Sequence, residues 1–227
     1  AAPLLAAFVV AFTGWLSKQW SFWISLVALA FSAFASINLL AIVAETGPIL
    51  YKLGGWPPPI GITYYVDGLN ALVLAVMTVI ALINLIATKT IVEADHPGKT
   101  SGFYALYLLS VCGHLGIVAT GDAFNLYVLL EIAALSGYAL LAIGSDRAAL
   151  STLNYLFIGT IGASFYLLGV GYLYISTGSL NMLDLTSLIQ QLGPTPTVLG
   201  AFGLILVGVM IKMAFFPLHA WLPNAYS

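Results

Sequence analysis

Two ionisable residues stand where ionisation is costly. Glu131 lies in the apolar stretch 121–143, G-D-A-F-N-L-Y-V-L-L-E-I-A-A-L-S-G-Y-A-L-L-A-I, and Lys212 lies inside the apolar run 198–216. At about 1.5 Å of helix rise per residue, Glu131 falls roughly 13 Å past Asp122, near the middle of a hydrocarbon core about 30 Å thick. Acids and bases at that depth pair with one another and mark ion or proton pathways. Burial alone favours the neutral form of each, whereas a nearby opposite charge favours both ionised forms. Bringing such a pair together and drawing it apart can therefore make a lysine hold or release a proton, and Glu131 with Lys212 is the pair expected to do so. The sequence sets no distance between them. Tyr127, four residues before Glu131, and Tyr138, seven after, share its helical face as accessory hydroxyls or as packing groups. His114, in the preceding apolar run, reads either as a proton relay or as a hydrogen-bonded packing residue, and His219 is a further accessory candidate.

The elements that must hold these groups leave their own marks. The run 103–120 reaches Gly121 with almost no connection, so Gly121 is expected to turn a tight corner and Asp122 to cap the first free amides of the helix carrying Glu131, the alternative for Asp122 being direct ion binding. Beyond Lys212 the chain reads F-F-P-L-H-A-W-L-P-N-A-Y-S, and Pro217 and Pro223 each remove a backbone donor, which predicts a helix that breaks soon after the lysine. A broken membrane helix exposes carbonyls whose negative ends suit a cation; the alternative is that Lys212 lies near the end of the membrane and snorkels outward.

Composition supplies the frame. The 227 residues are 61% hydrophobic and 6% charged, against about 25% charged in a soluble chain, which predicts an all-α, polytopic helical membrane protein. About seven spans follow, at residues 3–16, 21–44, 68–88, 103–120, 121–143, 150–176 and 198–216, with Trp15, Lys18, Trp20 and Trp23 as an interfacial belt. Residues 45–59 read as a loop rich in Gly and Pro, Asp67 as a helix cap, and 89–99 as a polar loop containing a solvated His96. The segment 176–192 has leucines at helical spacing and is expected to lie along the interface. Small residues between Gly159 and Gly171 suit close helix packing. Net charge of -2 without a basic run gives no reason to expect nucleic acid. One cysteine, Cys112, expected to be buried and inert, and three scattered histidines offer no disulfide, metal centre or redox cofactor site. Lys18, Lys89, Lys99 and Arg147 follow odd-numbered spans and Lys52 an even one, which puts the odd loops in the cytoplasm and the N-terminus outside.

T-G-D-A-F-N-L-Y-V-L-L-E at 120–131 and I-K-M-A-F-F-P-L-H-A-W-L-P-N-A at 211–225 together resemble the antiporter-like membrane subunits. That family includes the D-type component of Mrp multi-subunit cation/proton antiporters and the proton-pumping membrane subunits of respiratory complex I and membrane-bound hydrogenases. Y-V-D-G-L-N-A-L at 65–72 and G-S-L-N-M-L-D-L at 178–185 are similar to the Mrp D group. The resemblance implies a fourteen-helix fold with inverted five-helix repeats, of which 1–102 would be three N-terminal helices and 103–227 most of the first repeat, as parts of one incomplete transmembrane domain. It implies that Glu131 is the family's embedded glutamate and Lys212 the lysine of its broken seventh helix. Many relatives carry a lysine before a tyrosine in the sixth helix, where this chain has Asn154 before Tyr155, which leaves open a relay step there. The implied activity is proton translocation exchanged for sodium or another monovalent cation, in a multi-subunit complex of a bacterial inner membrane, with no catalytic residue and no cofactor. The alternatives are a proton-pumping arm subunit of complex I or a hydrogenase, and a scaffold subunit that transports nothing.

Overall fold

The computed structural model describes residues 1–16, 19–144 and 148–226, so Lys18, Ser145, Asp146 and Arg147, two of which enter the count of loop charges, lie outside the described residues. The chain is mostly helical, with a small antiparallel pair of strands. In order it forms α1 (Ala2–Leu16), α2 (Gln19–Thr46), β1 (Ile49–Lys52), β2 (Thr63–Val66), α3 (Gly68–Asp95), α4 (Thr100–Ala119), α5 (Ala123–Ala142), α6 (Ala148–Thr177), α7 (Met182–Leu192), α8 (Pro196–Lys212) and α9 (Trp221–Tyr226). Helices α2 to α6 are long and apolar enough to cross a membrane, and α1 and α8 are apolar but shorter.

Three boundaries differ from those read in the sequence. Residues 45–59 are not loop throughout: β1 pairs with β2, because I-L-Y-K and T-Y-Y-V place branched and aromatic residues suited to a pleated surface on either side of the proline turn. Helix α3 continues through Lys89, Glu93 and Asp95, where the sequence suggests a loop. Polarity does not stop a helix, and residues 89–95 contain neither Gly nor Pro. His96 ends it as the C-cap, half-buried, its backbone N–H donating to Val92 O at 3.1 Å. Helix α8 ends at Lys212, short of the expected 216. Asp67 caps α3 as expected, its Oδ1 accepting from Asn70 N at 2.9 Å. Cys112, expected to be buried, is partly exposed.

The chain forms two compact units, residues 1–49, 66–119 and 132–143 in one, and 50–65, 120–131 and 144–227 in the other. Helix α4 thus groups with α1 to α3 in the first unit. In the first unit Leu29, Leu85, Leu108, Tyr104 and Val10 fill the centre, and Ser36 and Thr78 share a hydroxyl contact of 2.6 Å within it. The Lys89 ammonium sits 4.5 Å from the Phe22 ring centroid, snorkelling over aromatic surface. The second unit is built on α6 and α8, packed so closely that backbone nearly meets backbone. A Cβ added at Gly208 would lie 2.7 Å from Gly162 O, and one at Gly162 would lie 2.7 Å from Ile211 Cγ2. The cluster of Ala123, Tyr166, Val170 and Leu185 completes that core.

Candidate functional site

The helix carrying Glu131 starts from a corner fixed on both sides. Gly121 N–H donates to Thr63 O of β2 at 2.9 Å, while Ala123 N–H donates to Leu180 O at 2.8 Å and Met182 N–H to Gly121 O at 2.9 Å. Asp122 acts as the expected cap, Oδ1 accepting from Asn125 N at 2.7 Å. Burial pushes its carboxyl up from the ordinary range, partly offset by the amides of Asn125 and Phe124. Gly121 sits in the short corner between α4 and α5 without a left-handed φ, and an added Cβ there would lie 3.2 Å from Tyr65 Cβ, a tight contact. Asn181 locks the corner from outside. Its Oδ1 accepts from Leu183 N and Asp184 N as the cap of α7, and its Nδ2 donates to Thr63 Oγ1 at 2.6 Å.

The lysine stands at a helix end. Pro217 has no N–H for a carbonyl four residues back, and it pushes Phe216 out of helical geometry, so regular helix cannot pass about residue 213. Ala214 then takes a left-handed φ of 52°. The freed carbonyls find irregular partners: Phe215 N–H donates to Met210 O at 2.9 Å, and Trp221 Nε1 donates to Ile211 O at 3.0 Å. The Trp221 ring stacks on Tyr155 of α6 at 4.2 Å, which pins the returning chain beside the break. Pro223, expected as a second break, lies in the first turn of α9, where an intrahelical donor is not required; it starts a helix instead. Lys212 thus occupies the last position of α8, at the partially negative end of its dipole.

Lys212 Nζ donates to Glu131 Oε1 at 3.2 Å, with 12% of the lysine side chain and 23% of the glutamate exposed. Beside the pair is a cavity of about 170 Å³, lined by Tyr127, Leu130, Ala163, Tyr166, Val209 and Lys212 among others. Its lining surface is almost entirely apolar, and its volume is that of several waters. An acid and a base held at hydrogen-bonding distance can pass a proton between themselves.

The other candidates lie elsewhere. Tyr138 is buried and does not line this cavity. His114 belongs to the first unit, exposed toward a groove shared with Asn84 and Tyr107, with its Nδ1 2.7 Å from Ser110 O of its own helix. Asn154 is exposed on α6, and His219 is exposed next to the Phe216 ring. Among the described residues no group of three or more His, Cys, Asp or Glu is placed to hold a metal. The sequence does not mark Tyr166 and Trp221 as site residues, because an aromatic residue in an apolar run looks like packing until its polar atom is seen to reach a carbonyl.

Residues 120–227, which carry both members of the pair, match the family described as "NADH:quinone oxidoreductase/Mrp antiporter, TM". The chain is 46% identical over 200 residues to the N subunit of the NADH-quinone oxidoreductase of Desulforudis audaxviator, covering 88% of this chain and 40% of that protein. It is 32% identical over 205 residues to the D subunit of the Na(+)/H(+) antiporter of Bacillus subtilis, covering 89% and 41%. A component of the membrane-bound sulfane sulfur reductase, an archaeal respiratory membrane complex, superposes with a TM-score of 0.92 at 35% identity, covering 100% of this chain and 46% of that one. The chain spans less than half the length of each of these relatives. Identity to the oxidoreductase protein exceeds identity to the antiporter protein, so these matches do not single out the antiporter branch. Residues 120–227, the part of the chain that holds Glu131, Lys212 and the break after it, belong to the NADH:quinone oxidoreductase/Mrp antiporter transmembrane family.

Proposed function

We propose that this chain is part of a proton-translocating membrane subunit in which Glu131 and Lys212 exchange a proton as their contact closes and opens. The observation that carries this reading is the 3.2 Å ion pair between two apolar helices, with Lys212 also lining a small cavity. A mobile pair is useful there because desolvation and pairing act in opposite directions, so a small change of separation reverses which form of each group is favoured. Tyr127, one helical turn before Glu131, lines the cavity. We infer that α1 and α8 join the five long helices as spans of a larger antiporter-like fold, and that the loop 96–99 faces the cytoplasm, with β1 and β2 outside and the N-terminus extracytoplasmic.

What the proton is coupled to has two readings. Exchange for sodium or another monovalent cation is supported by the similarity to the Bacillus subtilis antiporter protein. Coupling to a redox partner is supported by the higher identity to the oxidoreductase protein. A scaffold that transports nothing has no need of a carboxylate and an ammonium in apolar helices, where each is costly. In the full-length protein within its assembled complex, Glu131→Ala and Lys212→Ala should each abolish most proton transport without preventing assembly, and Glu131→Asp should retain part of it. Normal proton transport by either alanine variant would end this reading.

A further inference from the structure

We propose that Tyr166 is a positioning residue that sets the Glu131–Lys212 spacing by tying the start of α5 to α8; the inference rests on the proton-transfer reading above. Tyr166 lies on α6 and is 5% exposed. Its hydroxyl donates to the carbonyl of Ala123, the first residue of α5, at 3.0 Å. Its backbone lies directly against α8: a Cβ on Gly208 would sit 2.7 Å from Tyr166 N and 3.0 Å from Tyr166 Cβ. Gly208 is one helical turn before Lys212 and Ala123 is eight residues before Glu131. One residue therefore touches both helices that carry the pair, and its ring also walls the cavity beside Lys212.

A phenylalanine would fill the same space without burying a hydroxyl, which costs free energy unless the group is bonded. The Ala123 carbonyl has an intrahelical amide available to it as well, so the backbone does not require this donor. The hydroxyl's distinct contribution is therefore to fix the depth and rotation of α5 relative to α6, and α6 in turn fixes α8.

The test is Tyr166→Phe in the full-length assembled complex, measured as proton transport against pH beside Glu131→Gln. The titratable groups around the tether and the pair are Asp122, the cap of α5, Tyr127 and Glu131 from α5, and Lys212 from α8. The expected result is an unchanged amount of complex, a rate lower by about five-fold, the scale of one hydrogen bond, and a displaced pH profile. A lost hydroxyl that served only stability would lower the amount of complex while leaving the rate and pH profile per complex as in the parent, and that result would overturn the proposal. A Tyr166→Phe protein with parental rate and profile, beside a Glu131→Gln protein that fails to transport, would also overturn it while leaving the ion-pair reading intact. Parental transport by Glu131→Gln would remove both.

Discussion

A single methyl group one turn from Lys212 offers a way to move the lysine without altering either charge. In Gly208→Ala the new Cβ would lie 2.7 Å from both Gly162 O and Tyr166 N. Non-bonded contacts settle near 3.5 Å, so α8 must withdraw from α6 by roughly 0.8 Å. Glu131 lies on α5 and does not follow, so the 3.2 Å contact opens to about 4 Å if the lysine stem stays rigid. Losing a hydrogen bond to a charged group costs roughly 1.5–3 kcal/mol, and overpacking a close interface about 1–3 kcal/mol. Because the lysine stem can take up part of the shift, the lower end applies, and transport should fall about ten-fold. Proton uptake into vesicles holding the full-length assembled complex reads the rate, and thermal unfolding in detergent reads the packing cost. Gly200→Ala and Gly203→Ala are the controls: both lie on α8 with nothing within 4 Å of the added Cβ, and each should gain up to about 1 kcal/mol of helix propensity without changing transport. Parental transport by Gly208→Ala, or equal losses in the controls, would refute the link between α6–α8 packing and the pair.

Ala214 holds the break with a left-handed φ of 52°, so Ala214→Gly should preserve transport, whereas a β-branched Ala214→Ile should lower it severalfold in the same vesicle assay. Burial raises the Asp122 carboxyl above its ordinary 3.8, so between that value and its folded one the native state keeps a proton that the unfolded state has released, and stability falls as pH rises through the window. Asp122→Asn keeps the cap oxygen without that penalty, so its thermal stability relative to the parent should grow as pH rises from about 4, while Asp122→Ala, which also escapes the penalty but forfeits the cap, should stay about 1 kcal/mol below Asp122→Asn at any pH. For topology, a single cysteine at position 99 should resist an impermeant reagent applied outside and one at position 58 should react. Cys112 is partly exposed, so it must be replaced in that background.

Glu131 and Lys212 are legible one at a time because a charge in an apolar run is conspicuous wherever the helices go. Their distance is not, since it depends on α6 and α8 meeting at Gly162 and Gly208, a contact between residues 46 apart in sequence. The break is legible from Pro217, but its position is not: α8 stops at Lys212 because the effect of a proline reaches back a full turn. Asp122 is readable as a cap because capping is local, whereas Asn181, buried against Thr63 across more than a hundred residues, carries no local sign of its second bond. Tyr166 resembles many apolar-helix aromatics until its hydroxyl is seen to reach Ala123 O. The end of α3 is hard to place from sequence because its charged residues resemble a loop, although Val92 buries and holds that last stretch.

The most direct measurement of the central claim is proton transport against pH for Glu131→Gln in the full-length assembled complex, beside the parent. Glutamine keeps the size of glutamate and can still accept from Lys212 Nζ, so geometry and assembly are largely retained while ionisation is removed. A pair that works by switching between apposed and separated charges then has no counter-charge to switch against. The expected result is a normal amount of complex with most proton transport lost and the remainder no longer following the parental pH profile. A Glu131→Gln protein that transports at the parental rate with the parental pH dependence would contradict the account and leave Glu131 with a structural role only.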